Sequence, residues 1–198
     1  MGCTLLTRGR VLNCNRISGG IRAVYFAVLD QVIELDYNGA VPPNQVREIT
    51  KIDIGDRQIY RYLLPAGASN FVDTIVGSRE NGTQYYTPVI NIIYNRLSKE
   101  DQAEIKLLAS TKTIVFCELN QKLDNGHYVI TAMGMVNGME VNTGTIDSGT
   151  AWGDRNGYSL TLDGQEVEPF AMVKDYTAQP FDNVSEVGGP LMIVTTGL

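Results

Sequence analysis

Between a glycine-rich loop and an Asp-Gly turn, the segment Ser148–Pro169 spells out one strand and little else. Tyr158, Leu160 and Leu162 alternate with Ser159 and Thr161. That period of two fits a strand with one buried face. Asp163-Gly164 closes it with a turn signal. The segment reads SGTAWGDRNGYSLTLDGQEVEP and holds no evident nucleophile, base or ligand set. A well-specified stretch without chemistry points to a structural part rather than a catalyst.

The rest of the chain is read the same way. Twenty glycines, ten tyrosines and many Thr, Val and Ile residues tilt it toward β structure. Ile21 to Leu29 is a strongly apolar strand, and Ile33 to Tyr37 continues with alternation. Glu48 to Ile54 and Arg57 to Leu64 flank the Gly55-Asp56 turn and read as a hairpin. A long hairpin spans about residues 68–95, its arms Asn70–Val76 and Thr83–Asn95 joined by the polar loop Gly77–Gly82. On its second arm Tyr86, Ile90, Ile92 and Tyr94 share one face while Tyr85, Val89 and Ile93 take the other. Such an arm is buried either within a sandwich or by a partner. One helix is predicted over Lys99–Ala109, capped by Ser98 with Asp101 three residues on. Its apolar stripe is read as Ala103, Ile105, Leu107 and Leu108. Strands follow at Lys112–Leu119, Tyr128–Val136, Glu140–Ile146 and Leu191–Thr196, with a loop-like region after Pro169.

Chemistry is sought and not found. The chain of 198 residues carries a net charge of −6, unlike a tight nucleic-acid binder. Cys3, Cys14 and Cys117 make an odd count without a CxxC pair, as expected of reduced thiols, and Cys117 reads as a small core residue. The only histidine, His127, sits at a turn with no nucleophile beside it. Asp147, Asp154, Asp163 and Glu166 fit no calcium-loop spacing. Gly144–Gly153 lacks the lysine and helix of a phosphate loop. Trp152, Tyr85-Tyr86 and Tyr60/Tyr62 could form a carbohydrate platform or fill cores and interfaces. No signal peptide is read in the first residues, and no run approaches the ~18 apolar residues of a membrane helix. The reading is of a non-enzyme, with no cofactor, metal or membrane.

Three features carry a family resemblance. The first is G-T-x-[FW]-G-D-R-N-G-Y-x-L-T-[FL]-x-G-x-E-x-E-P, here Gly149 to Pro169. The second is the strand start Gly19-Gly20-Ile21-Arg22-Ala23-Val24-Tyr25-Phe26-Ala27. The third is a helix followed by an apolar strand and an NG-containing turn, here Leu97 to Tyr128. In pattern and order the chain resembles major tail tube proteins of long-tailed phages of Bacteroidetes-type hosts. The resemblance implies a mainly β fold: two packed antiparallel sheets closing toward a barrel, one flanking helix (about 99–109) and the long hairpin. It implies residues 1–198 as one such domain with a basic arm (1–20) and an acidic segment (163–198). It also implies hexameric rings stacked into a DNA channel, in a virion assembled in the bacterial cytoplasm. Its partners would be further copies of itself and other tail proteins (terminator, baseplate, tape measure, sheath), with DNA passing through loosely. Other tail or neck rings, or a carbohydrate- or receptor-binding sandwich, are the alternatives. Contacts between subunits are expected at Tyr86, Ile90, Ile92 and Tyr94 of the hairpin, and at Asp154 and Arg155. Arg8, Arg10 and Arg16 are expected to meet the acidic segment of the next ring, though either charge could be satisfied within one subunit.

Overall fold

The computed structural model describes residues 18–31, 34–37, 48–53, 58–184 and 192–195. Eight strands form a curled sheet, a half-barrel. Their order is β12 (Met192–Val194), β4 (Gln58–Leu63), β1 (Ile21–Val28), β7 (Thr113–Lys122), β8 (Tyr128–Met133), β11 (Ala171–Val173), β3 (Glu48–Asp53) and β2 (Glu34–Tyr37). All neighbours are antiparallel except β12–β4 and β11–β3. A second, antiparallel sheet has the order β5 (Asn70–Ser78), β6 (Thr83–Asn95), β10 (Gly157–Asp163) and β9 (Glu140–Asp147). The single helix among the described residues, α1 (Lys99–Leu108), follows β6. The chain is thus mainly β with one flanking helix, as its pattern and resemblance imply.

Two cores hold these layers together. One lies inside the curl, because it links Ile49 and Ile52 of β3 to Ile59 of β4, near opposite ends of the large sheet. The other lies between the sheets, joining Val24, Phe26, Val115 and Cys117 to Ile90, Ile92, Leu160 and Leu162. Strands β1 and β7 therefore bury both faces, which is why their sequences are apolar runs without alternation. Tyr176, Phe181 and Val184 complete the inner core. Phe181 packs edge-on to Tyr25 and Phe116, with ring centroids 5.2 and 5.3 Å away. It does so at a φ of 69°, an unfavourable backbone region for a bulky residue.

Three expectations need correction. Strands β3 and β4 are not a hairpin: β4 pairs with β1 and β12, and β3 with β2 and β11. The doubly apolar β1 needs a partner on each edge, and β4 supplies one. Regular alternation over Glu48–Ile54 would put Ile49 and Ile52 on opposite faces, yet both are buried in the inner core. An irregularity opposite Asp36/Tyr37 skips Thr50 and reverses the alternation. On α1 the inward positions are Ile105 and Leu108, three residues apart, while Leu107 is 61% exposed. Ala103 and Leu107, each two positions from Ile105, point away from that face.

Candidate assembly surfaces

The small sheet is built to leave much of itself uncovered. Paired residues share a face, so the register sorts its side chains. Toward the core stand Phe71, Ile90, Ile92, Tyr94, Tyr158, Leu160 and Leu162. Away from it stand Val72, Thr74 and Val76 of β5, Tyr85, Thr87, Val89 and Ile93 of β6, and Ser159 and Thr161 of β10. Val72 is 52% exposed and Tyr85 37%. Strands β5 and β9 are its edges. Among the described residues no strand pairs with the outer edge of either. Each is tied to the large sheet only just before it begins, by Ile21 N donating to Ser69 O and by the Thr113–Met139 bridge. None of the four strands contains a Lys or Arg.

This frame sorts the residues expected at subunit contacts. Ile90 and Ile92 have no exposed surface and belong to the core between the sheets. They cannot touch a neighbour in this fold, because the face they share with Tyr94 is the covered one. Tyr94 is packed against that core, and its ring lies 5.9 Å from Tyr62. Its hydroxyl is buried without a hydrogen-bond partner among the described residues, and burial pushes its pKa well up. Tyr86, near the hairpin tip, stays half-buried. It bridges Glu166 through the backbone and accepts from Gln84 Nε2 at 3.2 Å. Asp154 fixes its own loop: its Oδ2 accepts from Ala151 N at 2.7 Å and Thr150 N at 3.0 Å, which lowers its pKa. Arg155 is exposed beside it. Arg8, Arg10 and Arg16 lie outside the described residues.

The acidic half of the expected ring-to-ring contact is also reduced. Glu166 is 4% exposed and accepts from the N–H groups of Val136 and Asn137. Desolvation nevertheless raises its pKa. Asp182 accepts from the N–H groups of Thr177, Ala178 and Gln179. Both carboxylates hold loops of their own chain. The aromatic residues do not gather into one platform either. Tyr85 and Tyr86 point to opposite faces, and Tyr62 packs edge-on against Phe26 at 5.4 Å.

A second polar cluster escaped the sequence reading. Glu118 on β7 is 2% exposed and accepts from the Tyr25 hydroxyl at 2.7 Å and from Arg61 at 3.1 Å, with Arg22 Nε 3.4 Å away. Burial, then the Glu118 charge, pushes the Tyr25 pKa up. Arg22 also lies over the Tyr128 ring, 3.8 Å from its centre. The cluster staples three adjacent strands, β4, β1 and β7. Removing one partner of such a buried pair typically costs about 3–5 kcal/mol.

The described residues contain no cluster of three or more His, Cys, Asp or Glu placed to hold a metal ion. They contain no helix long and apolar enough to cross a membrane. Cys117 is fully buried, and desolvation raises its thiol pKa. Set against known proteins, the chain matches no family model, no curated protein and no solved structure.

Proposed function

We propose that this chain is a structural ring-forming subunit, the tail tube protein of a tailed phage. One observation carries the reading: a four-stranded antiparallel sheet with two long edges, β5 and β9, that nothing among the described residues pairs. Unpaired edges are aggregation-prone, and natural proteins either protect them or use them. Here β5 and β9 run in opposite directions across the sheet. Strand β9 of one copy can therefore add antiparallel to β5 of the next, and a ring of copies closes every edge. Six copies, the number the resemblance implies, would contribute four strands each. Barrels above about 16 strands enclose an open channel.

The channel wall would be the face bearing Val72, Thr74, Tyr85, Val89 and Thr161. Without a Lys or Arg on any of its strands, and with Glu140, Asp147 and Asp163 on that face, it would not grip phosphate. DNA would pass through rather than bind. Rings would then stack head to tail, a contact that does not close and so builds a filament within the virion. Other tail proteins would meet its two ends.

Negative-stain imaging of the purified protein over a concentration series tests this. Hollow rings or tubes are expected. A proline on edge strand β5, at a position whose N–H points away from β6, should leave the subunit folded and prevent ring formation, because it removes a donor from the β9–β5 junction. A protein that stays monomeric at all concentrations contradicts the reading. Single rings that never stack would favour a neck, terminator or baseplate ring instead.

A further inference from the structure

Trp152 is the chain's only tryptophan, and it stands fully in solvent with a relative exposure of 107%. The loop that carries it is nonetheless fixed. Asp147 Oδ1 accepts from Gly149 N at 2.9 Å, and Asp154 N donates to Ala151 O at 3.0 Å. The Asp154 carboxylate holds Thr150 and Ala151, and Asn156 O accepts from Arg96 N at 2.6 Å. A large ring held out in water on an anchored backbone adds nothing to the stability of its own subunit. It stabilises a contact when a partner desolvates it. At the end of β9 from which this loop leaves, Ile146, on the core-facing side, is 60% exposed.

The opposite edge of the same sheet carries a matching recess of about 270 Å³. Gly19, Gly20, Ile21, Phe71, Leu119 and Gln121 line it. It is pre-formed: Asn120 donates from its side chain to Gly19 O at 2.9 Å and from its backbone to Gly20 O at 3.0 Å. Three apolar side chains and two glycines offer room for a flat ring. The Gln121 side chain supplies an acceptor for an indole N–H.

Knob and recess lie at the same end of the sheet. Asn70, Asn91, Thr161 and Thr143 form one row across it, and Asn95, Gly157 and Asp147 form a row four residues beyond on β6, β10 and β9. The Trp152 loop hangs from that second row on the β9 side. The recess lies at the start of β5, on the other side. When β9 of one copy pairs with β5 of the next at equal height, the loop of the first comes to the recess of the second.

We propose that Trp152 of one copy seats in the Gly19–Gly20 recess of the next and locks the β9–β5 junction. This rests on the edge-paired ring proposed above and names a determinant of it. The contact has one direction, knob to recess, so it also fixes the order of subunits around the ring.

With one tryptophan per chain, its fluorescence reports on this contact alone. In dilute, monomeric protein, iodide should quench Trp152 fully. On assembly its emission should shift to the blue and quenching should fall. Gly19→Leu fills the recess from a site where an added Cβ meets nothing within 4 Å. It should keep Trp152 quenchable and raise the concentration needed for assembly about 30-fold, the effect of one interface hot spot. Trp152→Ala, which has no fluorescence to follow, should raise the assembly concentration by as much, and the double variant should be no worse than either single one. Assembly with Trp152 still fully quenchable overturns the proposal and leaves the ring reading standing. Shielding already present in the monomer overturns it too, because Trp152 is then covered within its own subunit. Failure to assemble at any concentration removes both.

Discussion

A methyl group on Gly157 would collide with the carbonyl oxygen of Tyr94 and sit 3.0 Å from Asn95 Cα. Only glycine lets β10 begin directly against the end of β6. Gly157→Ala should therefore cost about 1–3 kcal/mol, as overpacking does, read as a lower denaturant midpoint with an unchanged slope. Asp182 gives a pH test at the same scale. Desolvation raises its pKa, but the N–H groups of Thr177, Ala178 and Gln179 outweigh that and hold the carboxyl at about 2. An unfolded Asp titrates near ~3.9. The folded value is the lower one, so the contribution is present above pH ~4 and is lost as pH falls through 2. The carboxyl is exposed, which screens it and keeps the effect local. The protection factors of the Thr177–Gln179 amides, measured against their intrinsic exchange rates, should fall over that pH window, and Asp182→Asn should leave these amides weakly protected at every pH. Some single residues were legible in the sequence. Cys117 is the small core residue its apolar run implied, whereas Asp154, expected at a subunit contact, fixes its own loop. Glu118 was not legible, because its partners Arg61 and Tyr25 lie 57 and 93 residues away in sequence.

At the scale of elements, the strands and helix that local pattern and turn chemistry specify lie close to where the sequence places them. Ser98 caps α1 and accepts from Asp101 N at 3.0 Å, and the long hairpin runs Asn70–Ser78 to Thr83–Asn95. What escaped is whatever depends on distant partners. The parallel pairings of β11 and β12 join residues far apart in sequence, and β11 is only three residues long. The bulge that turns Ile49 and Ile52 to one face leaves no mark in residue type. The second hairpin arm illustrates the ambiguity best. Its sequence is apolar on both faces, and only the fold decides which face the subunit itself covers. Ile92→Asp would put a carboxylate into the core between the sheets, at a site with no exposure. It should cost about 4 kcal/mol or more and unfold the subunit rather than merely block assembly. Loss of the cooperative unfolding transition checks this. A folded, unassembled variant would return Ile92 to an interface.

At the scale of the whole molecule, the two sheets differ in what they leave exposed. The curled sheet buries both faces of its central strands. The small sheet buries one face and presents the other, together with two long edges. Composition alone gave the acidic balance. It did not reveal that the open sheet lacks every cation, nor that Trp152 projects from an anchored loop at one of its edges. Those facts arise from register, which joins positions far apart in sequence, as in the Thr161–Asn91 bond across 70 residues. The central claim is that the edges of this sheet close a ring. Hydrogen exchange on assembled and dilute protein tests it most directly. In the assembly, the amides of Asn70–Ser78 and Glu140–Asp147 that point away from β6 and β10 should become protected, while β6 and β10 themselves change little. Rings or tubes in which both edges still exchange as fast as in the monomer would contradict the account.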